Sequence, residues 1–349
     1  MRATAPNIRR SVLDCWKNQP GDWTRTMING GLILIVASIV AAAPVRVADA
    51  QVPAKPAPVP RTVVQFDLPS KSTNRTYRVQ IFRPAVPAPT AGYPVIFLTD
   101  GALTFETAVD QMWSRQMVDL KPAIVVGIGY PGDDLWEFVR LRNLDLIPWK
   151  PTGAFLPIFE GWAKAGGYTV DDAGGAEQFY RFITEELRPK LASMMPVDLT
   201  NQALFGHSLG GLFTLYSLFE HPAAFSTYVV SSPSILFNAR AIVASEAKLA
   251  AKIGKGEVQP RILLEVGSDE TYPSSEALAA MAPAEQLRWA QMGRAVDNTL
   301  EMAARLRSFK GGAGYQVRTH VFEGENHVSV VPSSVARGLS FAFSLLPDR

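Results

Sequence analysis

Cysteine is almost absent: Cys15 is the only one in 349 residues. A disulfide framework and a cysteine-built zinc site are therefore excluded. An excess of one charge is also lacking, with 34 Lys and Arg against 32 Asp and Glu. Residues 1 to 50 hold six of the basic and three of the acidic side chains, so the remainder carries a net charge of −1. Nothing there resembles the basic footprint of a nucleic-acid binder. Long hydrophobic runs are missing too. The apolar stretch from Gly30 to Pro44 falls short of the roughly 20 residues that span a bilayer. No internal repeat is visible, and histidine is scarce enough, at four residues, that each can be weighed in turn.

What is present begins with an N-terminal region unlike the rest. A basic, irregular start leads into NGGLILIVASIVAAAP and then VRVADA, where Ala48 and Ala50 form a small-x-small cleavage site. The pattern reads as a secretory signal over 1–50, with an uncleaved anchor as the alternative. Met27 stands directly before the apolar run, so translation from Met27 would leave an ordinary leader. Cys15 lies ahead of the cut and lacks the small-residue setting of a lipoprotein anchor. Residues 51–60, QVPAKPAPVP, are a proline-rich, extended lead-in. The expectation is an exported protein, periplasmic or secreted, with no stable membrane insertion once the leader is removed.

From Arg61 to Arg349 short β-rich runs alternate with longer helical ones, the mark of one α/β domain with a mainly parallel sheet covered on both faces. TVVQFDL and TYRVQIFRP alternate in period two and predict an antiparallel N-terminal edge. YPVIFLTDG, PAIVVGIGY, QALFGHS, TYVVSSPS, RILLEVGS and YQVRTHVFEG read as buried strands. Helical spacing is clearest in GGAEQFYRFITEELRPKLASM, after Ser208, and from about Ala282 to Phe309. Residues 145–168 break the alternation with prolines, glycines and aromatics, which predicts a long ordered loop walling a substrate site.

The chemistry concentrates at Gly206-His207-Ser208-Leu209-Gly210. A Gly-x-Ser-x-Gly between a strand run and a helical run is the setting of a nucleophile elbow, a turn so sharp that the flanking glycines meet with no room for a β-carbon. Such a turn lifts the Ser208 hydroxyl out at the helix N-terminus, where the N–H groups favour negative charge. A plain serine N-cap is the alternative. A serine hydroxyl needs a base, and the order Ser, acid, His places that base downstream. His207 precedes the serine and points away at the elbow, His221 caps a helix end, and His320 lies inside a strand. That leaves His327, in the loop after the last strand. The acid belongs after the preceding strand, where Asp269 and Glu270 stand side by side, and either could orient the imidazole. Backbone N–H groups of Leu209 and Ala102 are the expected oxyanion donors. Gly101 permits the bend beside Ala102, and Asp100 fixes that loop.

These segments together resemble the putative esterase family of α/β hydrolases, which includes esterase D-like and enterobactin esterase-like enzymes. YPVIFLTDG, IVVGIGYP, RNLDLIP, GGAEQFYRFITEELRPKL, LFGHSLGGLFTLY, SSPSI and ENHVSVVP follow the family's segments in order across nearly the whole mature chain. The resemblance implies an α/β-hydrolase fold and a cofactor-free, metal-free serine esterase acting on a small-molecule carboxylic ester, a siderophore ester among the options. It also implies Glu270 as the acid, three residues after the glycine of the VG turn, with Asp269 as runner-up. Arg142 matches a position at the site's mouth, where it either meets a polar substrate or pairs with Asp145, and Gly101 and His207 join it as substrate-facing candidates. The chain departs from the family with Thr99 before Asp100-Gly101 and with Thr271 after Glu270. Two rivals remain: an acyltransferase on the same fold, separable by products formed with a sugar acceptor, and a non-catalytic ligand binder, separable by fluorophosphonate labelling of Ser208.

Overall fold

The computed structural model describes residues 60–270 and 294–346. The leader, nearly all of the lead-in and residues 271–293, which include the first part of the expected 282–309 helix, lie outside the described residues. Eight strands form one sheet in the order β1-β2-β4-β3-β5-β6-β7-β8. They are β1 Thr62–Pro69, β2 Thr76–Arg83, β3 Tyr93–Leu98, β4 Ile124–Gly129, β5 Val197–His207, β6 Thr227–Ser231, β7 Arg261–Gly267 and β8 Gln316–Phe322. Strands β1 and β2 pair antiparallel, as do β2 and β4, and every pair from β4 to β8 is parallel. The antiparallel N-terminal edge and the parallel centre both follow the sequence pattern.

Continuous apolar runs give the central strands two buried faces. Along β3, Val95 and Phe97 join one hydrophobic cluster while Ile96 and Leu98 join the other. Helices α1 (Gly101–Arg115) and α8 (Val330–Phe343) cover the second face. The first face carries α2 (Leu135–Asp145), α3 (Leu156–Gly166), α4, α5 (Leu209–Glu220), α6 (Glu246–Gly254) and α7 (Ala295–Arg307). Here α4 denotes the helix that runs Ala176–Arg181, widens into a π stretch at Phe182–Leu187 and continues as Arg188–Met194.

One expectation needs correction. Residues 145–168 are not a loop throughout, because α3 occupies eleven of them. Pro157 falls in the first turn of α3, where a missing N–H has no carbonyl to lose. Gly167 closes the other end in the left-handed conformation, at φ 70°. Pro157 and Gly167, two of the residues that suggested a loop, mark this helix's two ends.

The strand order reverses at β3: β4 lies on one side of it and β5 on the other. Loops leaving the carboxyl ends of such neighbours diverge to opposite faces and open a crevice between them. Both α1 and α5 start at that rim, directly after β3 and β5.

Candidate active site

Ser208 follows β5 with φ 61° and ψ −116°, a conformation side chains rarely hold. The backbone there is fixed from both sides: the Ser208 N–H donates to the Ser231 carbonyl at 3.0 Å, and the Ser208 carbonyl accepts from Leu212 and Ser234 N–H. A β-carbon at Gly206 would lie 2.0 Å from the Gly210 carbonyl oxygen, which no side chain tolerates. At Gly210 the neighbour differs from the expected one, since a β-carbon there would meet Thr99 Oγ1 at 2.3 Å. The second glycine therefore makes room for the end of β3 and not for Gly206.

His327 reaches the serine from 119 residues further along. Its Nε2 lies 2.9 Å from Ser208 Oγ and its Nδ1 lies 2.6 Å from Glu270 Oε2. The loop that carries it is held locally. Asn326 Oδ1 accepts from the N–H groups of Val328 and Ser329, while Ser329 Oγ accepts from the Asn326 N–H. It is also tied to the β7 turn, because the Asp269 N–H donates to the Glu325 carbonyl and the Gly324 N–H to Ser268 Oγ. Imidazole and carboxylate thus sit on two loops joined by their own backbone.

Of the two adjacent acids, Glu270 is the one turned inward. Its side chain is 2% exposed, against 49% for His327. Oε1 accepts from the Gly267 N–H at 2.8 Å and from the Ser232 hydroxyl at 2.5 Å, leaving Oε2 to the imidazole. Asp269 faces solvent, with its own neighbour Ser268 as donor. Ser232 was not singled out from the sequence; its positive φ of 40° marks the SSPS turn as a constrained one. Nor was Glu265, buried on β7 against the Ser334 hydroxyl. Burial pushes its carboxyl up to about 8, against the opposing effects of the Ser334 hydroxyl and Arg337.

The remaining candidates are distributed as follows. Leu209 is the first residue of α5 and Ala102 the second of α1, and N–H groups in a first helical turn lack intrahelical acceptors. Gly101 begins α1 directly after Asp100, which stands at φ 53° with no side-chain cap bond. Its carboxylate turns instead to Arg142, in a two-point pair of 2.9 and 3.0 Å. The alternative partner for Arg142, Asp145, is taken elsewhere, by Arg75, Tyr77 and Tyr130. His207 does not point away from the site. It is 6% exposed, its ring lies 4.7 Å from that of His327, and its Nδ1 lies 2.9 Å from Ser231 Oγ. Burial holds its pKa well below the ordinary histidine value, with the neighbouring His327 and Arg142 adding to the effect. A base, an oriented nucleophile and two helix N-termini at one rim can carry acyl transfer. Among the described residues no group of three or more His, Cys, Asp or Glu is arranged to hold a metal ion.

A family model described as "Putative esterase" matches residues 160–321. The chain is 33% identical over 300 residues to the ferri-bacillibactin esterase BesA of Bacillus subtilis (strain 168), covering 83% of this chain and 91% of that protein. It is 35% identical over 265 residues to the siderophore triacetylfusarinine C esterase of Aspergillus fumigatus, covering 73% of this chain and 82% of the other. Among solved structures, the BES protein from Bacillus cereus superposes with a TM-score of 0.66 at 31% identity, over 82% of this chain and 97% of that one.

Proposed function

Because the chain belongs to the putative esterase family and is an ester hydrolase, we propose that Ser208, His327 and Glu270 are its catalytic triad and that its substrate is a siderophore ester. The observation that carries this reading is the relay of 2.9 and 2.6 Å from Ser208 through His327 to Glu270. With Nδ1–H donated to Glu270, Nε2 is free to take the Ser208 proton as Oγ attacks the ester carbonyl. The oxyanion is held by the Leu209 and Ala102 N–H groups at the positive ends of α5 and α1. His327 then returns the proton to the departing alcohol, and water resolves the acyl-enzyme by the same route. Arg142 and His207 work from behind: Arg142 fixes the Asp100 turn that presents Ala102, and the neutral His207 backs the His327 ring.

Support for the substrate comes from the relatives, which are named as esterases of ferri-bacillibactin and triacetylfusarinine C, and from the aromatic segment after α2. Phe155 packs at 4.9 Å on Phe237, three residues past Ser234, whose N–H bonds the Ser208 carbonyl. The test is a panel of ferric siderophore esters and simple acyl esters, with products identified by mass spectrometry. The siderophore esters should exceed the simple ones by at least about 100-fold in kcat/KM, the range that a matched binding site confers. Simple esters turned over equally well would overturn the substrate class; no ester turned over would overturn the triad.

The same reading places the protein outside the cytoplasm, on the composition of residues 1–50. N-terminal sequencing of the natural product is expected to begin at Gln51. A chain that begins at Met1 or Met27 would remove this part.

A further inference from the structure

With Ser208 as the nucleophile, on which this step rests, we propose that Asn238 is a positioning residue that holds the aromatic wall of the ester site and so sets how well a bulky aromatic ester is accepted. Its side-chain amide spans the start of that wall with both of its functions. Oδ1 accepts from the Thr152 N–H at 2.8 Å, and Nδ2 donates to the Lys150 carbonyl at 2.8 Å. An amide carries a donor and an acceptor side by side, which matches a backbone N–H and C=O on one edge of an extended segment. A carboxylate of the same shape carries two acceptors and would turn one of them against the Lys150 carbonyl. Pro151, between the two bonded residues, is buried, so the clip closes over a seated residue and not over a free loop.

The backbone beneath this amide is unusual. Asn238, Ala239 and Arg240 stand at φ 48°, 53° and 68°, three left-handed residues in a row with no glycine among them. Side chains resist that conformation, asparagine less than most, and it persists where the surroundings over-determine it. Here the Phe237 N–H donates to the Ser234 carbonyl ahead of the turn, and Arg240 pairs with Glu301 of α7 at 2.6 Å behind it. The Asn238 amide, between them, reaches across to residues 86 and 88 positions earlier in the chain.

The same stretch of chain reaches the reacting serine. Ser234 Oγ lies 3.5 Å from Ser208 Oγ, and the Ser234 N–H donates to the Ser208 carbonyl. Three residues on, the Phe237 ring meets Phe155 edge-on at 4.9 Å, and Phe155 meets Trp162 of α3 at 5.9 Å. The segment carrying Phe155 and Trp162 is bounded by Gly153 at φ 58° and Gly167 at φ 70°. Its far end is anchored, because Tyr168 packs on Phe159 at 5.7 Å and its hydroxyl accepts from the buried Asn143 amide at 2.7 Å. The near end has the Phe237 contact and the Asn238 clip. Apolar packing has no direction of its own, whereas two hydrogen bonds to one backbone edge fix its position along the chain. The clip therefore decides where the Phe155 and Trp162 rings stand relative to Ser208, and rings set edge-on to one another offer a flat aromatic group both faces and edges to pack on.

The test compares the full wild-type chain with Asn238→Gly and Asn238→Asp on p-nitrophenyl acetate and p-nitrophenyl 2-naphthoate, and follows hydrogen exchange at the Thr152 amide. Glycine takes the left-handed backbone freely but has no clip. Aspartate keeps the shape and the acceptor for Thr152 but loses the donor for Lys150. In both variants the ratio of kcat/KM for naphthoate over acetate should fall by about ten-fold, the scale of one net hydrogen bond. The fall should come from a higher KM for the naphthoate and not from kcat, and in the glycine variant Thr152 should exchange about ten-fold faster. A glycine variant with the wild-type ratio would overturn the proposal. Equal losses on both esters would do the same, since they would make Asn238 a residue of general stability, and so would Thr152 exchange that ignores the glycine. Refusal of siderophore esters by a chain that turns over the naphthoate would remove the substrate class and leave the clip standing. If the wild-type chain hydrolyses neither ester, Ser208 is not the nucleophile; the clip is then decided by Thr152 exchange together with 2-naphthoate binding, read from tryptophan quenching, which the glycine variant should weaken by the same factor.

Discussion

Ser208→Ala is expected to lower kcat on the best ester by roughly 10⁶-fold, the loss seen when a triad nucleophile is removed from a serine hydrolase. KM should change little, because Oγ contributes to bond-making more than to holding the ester. The residual rate should stay well above the uncatalysed reaction, since Leu209 and Ala102 would still stabilise the oxyanion and the site would still bind. A nearby hydroxyl could in principle replace the missing one. Ser234 Oγ lies 3.5 Å from Ser208 Oγ, but His327 Nε2 is bonded to Ser208 and no hydrogen bond is seen from Ser234 to an imidazole. Fluorophosphonate should therefore label the wild-type chain at Ser208 and leave the variant unlabelled, with no adduct at Ser234. The substitution removes one oxygen at the head of a helix and should leave the thermal midpoint nearly unchanged. A folded variant that keeps more than about a tenth of the activity would end the assignment, because no intact triad tolerates loss of its nucleophile so lightly.

The fold was legible wherever burial dictates composition. Strands β3 and β4 are buried at every position, which forces continuous apolar runs, and β2 alternates because it lies next to the edge. The turn at Ser208 was legible because an elbow needs small residues at fixed offsets, and the placement of His327 beside it because His221 and His320 each had another explanation. What escaped was long-range pairing. Arg142 and Asp145 are three apart on one helix, and spacing suggests a local pair. The fold instead brings Asp100, 42 residues away, under the guanidinium, while Asp145 is surrounded by Arg75, Tyr77 and Tyr130. His207 escaped for a similar reason. Its place beside Ser208 says nothing about the far loop that lays His327 against its ring. In 145–168, Pro157 and Gly167 were read as breakers although each sits where a helix accepts it, a difference of position that composition does not carry.

The choice between Glu270 and Asp269 is where neighbours in sequence become opposites in space, and it yields the second large effect. Glu270→Gln should reduce kcat by about 10⁴-fold, as loss of the triad acid does elsewhere. The geometry explains why so small a change would cost so much. Two donors, the Gly267 N–H and the Ser232 hydroxyl, converge on Oε1. A glutamine must answer them with its carbonyl oxygen, which turns its NH₂ toward His327. That group donates, so Nδ1 has to accept and the imidazole proton moves to Nε2. An Nε2–H cannot take the Ser208 proton, and the base is lost although nothing has moved. Asp269→Asn, by contrast, alters an exposed side chain whose partner is Ser268 and should change kcat by less than about two-fold, as surface substitutions away from a site do. Glu270→Asp should keep the acceptor but shorten its reach, recovering part of the rate. Measured at saturating ester, the ranking wild type, Asp269→Asn, Glu270→Asp, Glu270→Gln is the expected result. A large loss in Asp269→Asn with little in Glu270→Gln would transfer the role to the solvent-facing carboxylate, and would require the β7 turn to rearrange around the two hydrogen bonds that tie it to the His327 loop.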